Sequence, residues 1–74
     1  MEIRIGIVQA PREVTLELDD STDVDALKAM IEAGVAEEKL IWLTDRKGRQ
    51  TAIPGDRVAY VELGVATEGK IGFG

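Results

Sequence analysis

Two apolar runs of period two constrain the fold of this chain more than any other feature. Ile3, Ile5 and Ile7 alternate with Glu2, Arg4 and Gly6, and Val14, Leu16 and Leu18 alternate with Glu13, Thr15 and Glu17. This is the period of half-buried strands whose apolar residues face inward. The link between them, Gln9-Ala10-Pro11-Arg12, is short and polar, and its proline interrupts any ladder. An antiparallel hairpin is expected.

The acidic stretch Asp19-Asp20-Ser21-Thr22-Asp23 follows. It offers several N-cap oxygens and places negative charge where a helix dipole favours it, so a helix should start here. Val24, Leu27 and Ile31 recur at helical spacing, with Met30 or Ala33 widening the stripe. Asp25, Lys28 and Glu32 fall on the other side. Gly34 is the expected C-terminal stop.

Beyond a link from Val35 to Lys39, Leu40-Ile41-Trp42-Leu43-Thr44 is apolar on both faces, as in a central strand or one with a covered outer face. Asp45-Arg46-Lys47-Gly48-Arg49 makes a turn. Gln50 to Ile53 is a short strand that Pro54-Gly55 ends. Arg57 to Leu63 is another, with Val58 and Tyr60 on one face and Ala59, Val61 and Leu63 on the other. These last three strands read as a meander. Residues 65–74 carry Gly69, Gly72 and Gly74 around Ile71 and Phe73, the pattern of an edge strand or a loosely tethered tail.

The element order is therefore β-β-α-β-β-β in a single domain spanning residues 1–74. The expected class is α+β, a mixed sheet with one helix packed on one face. A hairpin, a crossover helix and a third strand lying parallel beside the first would make it β-grasp-like. With 74 residues, 45% of them apolar, the chain supports one core. A chain of this size buries about 60% of its unfolded surface and keeps only ~3 to 5 kcal/mol of net stability. Dimerisation would add to that.

Composition removes several chemistries. With neither cysteine nor histidine, disulfides, thiolate nucleophiles and imidazole ligands are excluded, and a reducing cytoplasm is the expected setting. The alternating Met1-Glu2-Ile3-Arg4-Ile5 opening is unlike a signal peptide, and apolar runs as short as Leu40 to Leu43 exclude a helical membrane span. Ser21, Thr15, Thr22, Thr44, Thr51 and Thr67 lack a histidine to activate them, and Lys28 and Lys39 sit at surface positions. The loop before the helix is acidic rather than glycine-rich, so it offers no cradle for ATP phosphates. Asp19, Asp20, Asp23 and Asp25 lack the glycine and closing glutamate of a calcium loop and read as a helix start. No catalytic residue, cofactor or metal is expected.

The net charge of −5 disfavours general nucleic-acid affinity. Charge is distributed unevenly along the chain, however. From Glu13 to Glu38 nine acids face only Lys28, whereas Arg46, Lys47, Arg49 and Arg57 face only Asp56 between residues 46 and 57. The basic turn Arg46-Lys47-Gly48-Arg49 could touch RNA phosphates or an acidic protein, or simply be a solvated hairpin tip. Trp42 is the one large stacking surface, and as an alternating strand residue it suits core or interface.

Residues 14 to 42 resemble ubiquitin through Val14-Thr15-Leu16-Glu17, a capped helix holding Lys28 and Ile31, and Leu40-Ile41. The chain ends Gly72-Phe73-Gly74 rather than Gly-Gly, so a carrier function is not expected. A fuller resemblance spans nearly the whole chain. It rests on Met1-Glu2-Ile3-Arg4-Ile5-Gly6-Ile7, Pro11-Arg12-Glu13, Leu43-Thr44-Asp45 with Gly48-Arg49, the block from Ile53 through Pro54-Gly55-Asp56-Arg57 to Gly64, and Ile71-Gly72-Phe73-Gly74. These resemble a family of short actinobacterial proteins, domain of unknown function 3107. The resemblance implies an actinobacterial cytoplasmic protein.

The surplus of apolar residues carries the functional expectation. A sheet covered by one helix buries one face, yet the Leu40 to Leu43 and Val58 to Leu63 runs put bulky groups on both. The tail, a second copy or another protein must cover the second face. The expectation is a non-enzymatic interaction module, a homodimer through the sheet face around Trp42 and Tyr60. Its candidate surface comprises Arg12, Trp42, Arg46, Lys47, Arg49, Arg57, Tyr60 and Phe73. RNA or nucleotide association through the basic turn is the alternative.

Overall fold

The computed structural model describes residues 1–64. The tail expected over residues 65–74, and Phe73 with it, lies outside the described residues. Strands β1 (Glu2–Ile7) and β2 (Glu13–Glu17) precede helix α1 (Val24–Ala36). Strands β3 (Leu40–Thr44) and β4 (Gln50–Pro54), a 3-10 turn over Gly55–Arg57 and strand β5 (Val58–Gly64) follow. The class is α+β and the element order is the one the sequence implies.

Strand pairing differs from expectation. Among the described residues there are, instead of one mixed sheet, two antiparallel ones, of order β2-β1-β5 and β3-β4. The neighbour of β1 is β5, running antiparallel, with Ile3 opposite Leu63 and Ile5 opposite Val61. Among the described residues no third strand lies parallel beside the first, and β3, paired there with β4 alone, is not a central strand. Nor do β3, β4 and β5 form a meander. The turn after Pro54 carries β5 away from the hairpin and over to β1.

The core lies between the sheets and α1. Ile3, Ile5, Leu16 and Leu18 from the first hairpin meet Leu27 and Ile31 of α1 and Ile41, Leu43 and Ile53 of the second hairpin. Ile3 and Ile5 are wholly enclosed. In β1 and β2 the inward side is the side that alternation assigned to it; in β5 it is not. There Gly6 pairs with Tyr60 but Ile7 pairs with Val58, leaving Ala59 as the extra residue of a bulge. The bulge resets the alternation. Val58, Val61 and Leu63 all pack on the core, while Ala59 and Tyr60 are exposed, which corrects the face assignment of this strand.

Helix α1 starts where the acidic stretch ends, with the Asp23 side chain accepting from the Ala26 N–H at 3.1 Å. It buries Leu27, Ile31 and Gly34, leaving Val24 and Met30 partly exposed. Gly34 does not stop it. A Cβ on Gly34 would lie 3.0 Å from Ile41 Cδ1, so this glycine lets helix and sheet approach. The helix instead ends two residues later in a left-handed turn at Glu38, φ 58°. The Lys39 N–H donates to the Gly34 carbonyl at 2.9 Å and the Glu38 N–H to that of Val35 at 3.3 Å. This is the pairing of a Schellman motif, formed here without the usual glycine.

Candidate interaction surface

The β3-β4 hairpin has two unlike faces. Ile41, Leu43 and Ile53 point into the core, and the residues between them, Leu40, Trp42 and Thr44, point outward opposite Pro54, Ala52 and Gln50. Leu40 is 56% exposed and Trp42 57%. Neither β3 nor β4 contains a charged residue. The hairpin therefore carries an uncharged outer strip with a tryptophan at its centre, beside the small Ala52.

Its tip is clamped. The Gly48 N–H donates to the Asp45 carbonyl at 2.9 Å, and Gly48 adopts φ 90°, the left-handed position of a three-residue hairpin loop. Asp45 Oδ1 accepts from the Lys47 and Arg49 amides, each at 2.9 Å. Asp45 thus meets Arg49 through its backbone rather than its guanidinium. The clamp presents Arg46, Lys47 and Arg49 together, all exposed. Arg46 has acidic neighbours: its N–H donates to the Glu17 carbonyl at 2.9 Å, joining the two hairpins. Asp19 is held below the usual carboxylate range, chiefly by the amide and hydroxyl of Ser21 and further by the field of Arg46.

Tyr60 lies on the other sheet. Its ring covers Gly6, where a Cβ would collide with the ring carbons, and its hydroxyl donates to Glu13 Oε2 across that glycine. The Glu13 carboxylate, followed by lost hydration and the charge of Glu62, holds the phenol above its ordinary range, with Arg4 opposing. Around it the outer face of this sheet is charged. Arg4 lies between Glu2 at 3.6 Å and Glu62 at 3.8 Å.

The described candidate residues fall into four places. Trp42 occupies the hairpin face; Arg46, Lys47 and Arg49 occupy its tip, beside the Glu17 end of β2. Arg12 and Arg57 belong to the opposite end, where the Val8 N–H donates to the Arg57 carbonyl at 2.8 Å. The length of β2, about 13 Å at 3.3 Å per residue, separates the two ends. Tyr60 and Trp42 stand on different sheets, so no single sheet face contains both. The oxygens of the acidic stretch also serve separate tasks. Asp19 accepts from Ser21, Asp20 Oδ1 accepts from the Met1 ammonium at 3.1 Å, and Asp23 caps the helix.

Two participants were not singled out from the sequence. Leu40 extends the exposed strip, and Gly6 forms the seat of Tyr60. A glycine interrupting an otherwise well-patterned strand was a usable sign of close approach.

Over residues 1–74 the chain matches the family model described as Protein of unknown function (DUF3107). The chain belongs to this family. Among curated proteins no match is found. The blocks that carry the family resemblance take structural parts in the fold. The Gly55 amide donates to the Lys39 carbonyl at 2.8 Å, and a Cβ there would lie 2.7 Å from the Gly34 carbonyl carbon, so Pro54-Gly55 seats the helix end as well as closing β4. Among the described residues no helix is long and apolar enough to cross a membrane.

Proposed function

We propose that this domain is a non-enzymatic protein-interaction module that self-associates through the outer face of the β3-β4 hairpin. The observation that carries this reading is the exposure of Trp42 and Leu40 on strands without charge, directly above a core that Ile41, Leu43 and Ile53 already complete. Side chains that contribute nothing to their own core, on a face this apolar, are suited to burial against a partner. The small size of the core adds support, because association supplies stability that a short chain lacks. An actinobacterial cytoplasm is the proposed setting, supported by the absence of cysteine and by the family resemblance.

Sedimentation velocity across micromolar to millimolar concentration tests this. A concentration-dependent dimer, abolished by Trp42→Ser, is expected, together with a blue shift of the single tryptophan's emission on association. A strictly monomeric chain throughout would end the proposal. Phosphate binding by the basic turn has weaker support, since Arg46 shares its surroundings with Glu17 and Asp19.

A further inference from the structure

The hairpin face has opposite charges at its two ends. Glu38 stands two residues before Leu40 and Asp56 two residues after Pro54, so both strands are bounded by an acid at that end. At the other end Arg46 stands two residues after Thr44, and Arg49 immediately precedes Gln50, with Lys47 between them on the clamped loop. Other charges lie near each end as well. Lys39 Nζ pairs with Glu37 at 2.6 Å, the exposed Arg57 follows Asp56 directly, Asp45 Oδ1 is taken by backbone amides, and Glu17 and Asp19 lie beside Arg46. Among the described residues Glu38 and Asp56 form no ion pair.

The face is also too small to act alone. Two five-residue strands present a strip about 17 Å by about 10 Å, well short of the roughly 800 Å² per partner of a stable interface. The charged ends must then take part in any dimer built on this strip.

Resting on the self-association proposed above, we infer that the second copy packs antiparallel on the hairpin face. Arg46, Lys47 and Arg49 of each copy then lie against Glu38 and Asp56 of the other. Symmetry leaves two simple ways to stack this face on itself. A two-fold axis along the strands lays basic tip on basic tip. An axis across the strands reverses their direction, lays β3 on β3, brings both Trp42 indoles to the axis and sets each basic tip on the partner's acids. Only the second satisfies the charges, because like charges brought together in an interface are strongly penalised. The acids also sit on fixed backbone, Glu38 in the Schellman turn and Asp56 in the 3-10 turn, so little ordering is needed to engage them.

Charge exchange tests the arrangement, using the full chain at low salt with circular dichroism to confirm folding of each variant. Reversing the tip with Lys47→Glu and Arg49→Glu should raise the dimer Kd by about tenfold or more, as should Glu38→Lys with Asp56→Lys. All four changes together should restore it to within about threefold of the native value. A dimer that requires Trp42 but whose fourfold variant is no better than either half would overturn the antiparallel arrangement and leave self-association standing. A monomeric native chain would instead remove the reading on which it rests.

Discussion

The Tyr60 hydroxyl reaches the Glu13 carboxylate by crossing Gly6, so one side chain of β5 spans β1 to contact β2. The phenol is held above its usual pKa of about 10. The sign follows directly: the folded state prefers the protonated phenol, so this contact stabilises fully below the unfolded pKa and is lost as pH rises through the folded one. Because Tyr60 is the only tyrosine, absorbance near 295 nm reports its ionisation alone. The midpoint should lie above that of free tyrosine, and Glu13→Gln should lower it. An unchanged midpoint in that variant would show that Glu13 is not the cause.

Two glycines should respond to alanine in different degrees. At Gly55 the added methyl meets the Lys39 carbonyl oxygen at 2.8 Å and the Gly34 backbone, neither of which can rotate away. A loss of about 3 kcal/mol or more by urea denaturation is expected, in the range of severe packing and backbone conflicts. At Gly6 the obstacle is the Tyr60 ring, which can swing outward. Gly6→Ala should therefore cost less, about 1 to 2 kcal/mol, and return the tyrosine titration toward normal.

Glu38 is a non-glycine residue at the left-handed position that ends α1. Left-handed backbone costs an L-residue about 1 to 2 kcal/mol, which glycine avoids while gaining freedom in the unfolded chain. Glu38→Gly should therefore stabilise the monomer by about 0.5 to 1 kcal/mol. Measurement below the association range separates this from the partner contact assigned to Glu38. A destabilised variant would indicate that its side chain supports the monomer fold.

Neighbouring residues of β3 should behave oppositely. Leu43 is 2% exposed, so Leu43→Ala should cost about 2 to 5 kcal/mol. Trp42→Ser and Leu40→Ser, on the outer face, should change the dilute monomer's stability by less than about 1 kcal/mol while reducing association. Equal losses at Leu43 and Trp42 would mean that the indole supports the monomer after all.

What the sequence determined is local. Alternation in β1 and β2, the capping acids before Val24, and the Asp45-to-Arg49 turn depend on residues a few positions apart, and each formed as its pattern implied. The exclusion of thiol and imidazole chemistry was equally fixed by composition. What tertiary structure decided was which elements meet. The two sides of β3 are equally apolar in sequence, so only the placement of α1 and the first hairpin settled that Ile41 and Leu43 go inward and Trp42 stays out. Local pattern carried β5 as far as a strand, but its antiparallel place beside β1, and the bulge at Ala59 that turns Val58 inward and Tyr60 outward, arise from pairing between residues some fifty positions apart. Gly34 shows the same limit: a glycine near a helix end resembles a stop until a strand is packed against it. Period-two and helical patterns assign each residue to a side of its own element, whereas burial depends on what covers that side, and distant parts of the chain supply the cover.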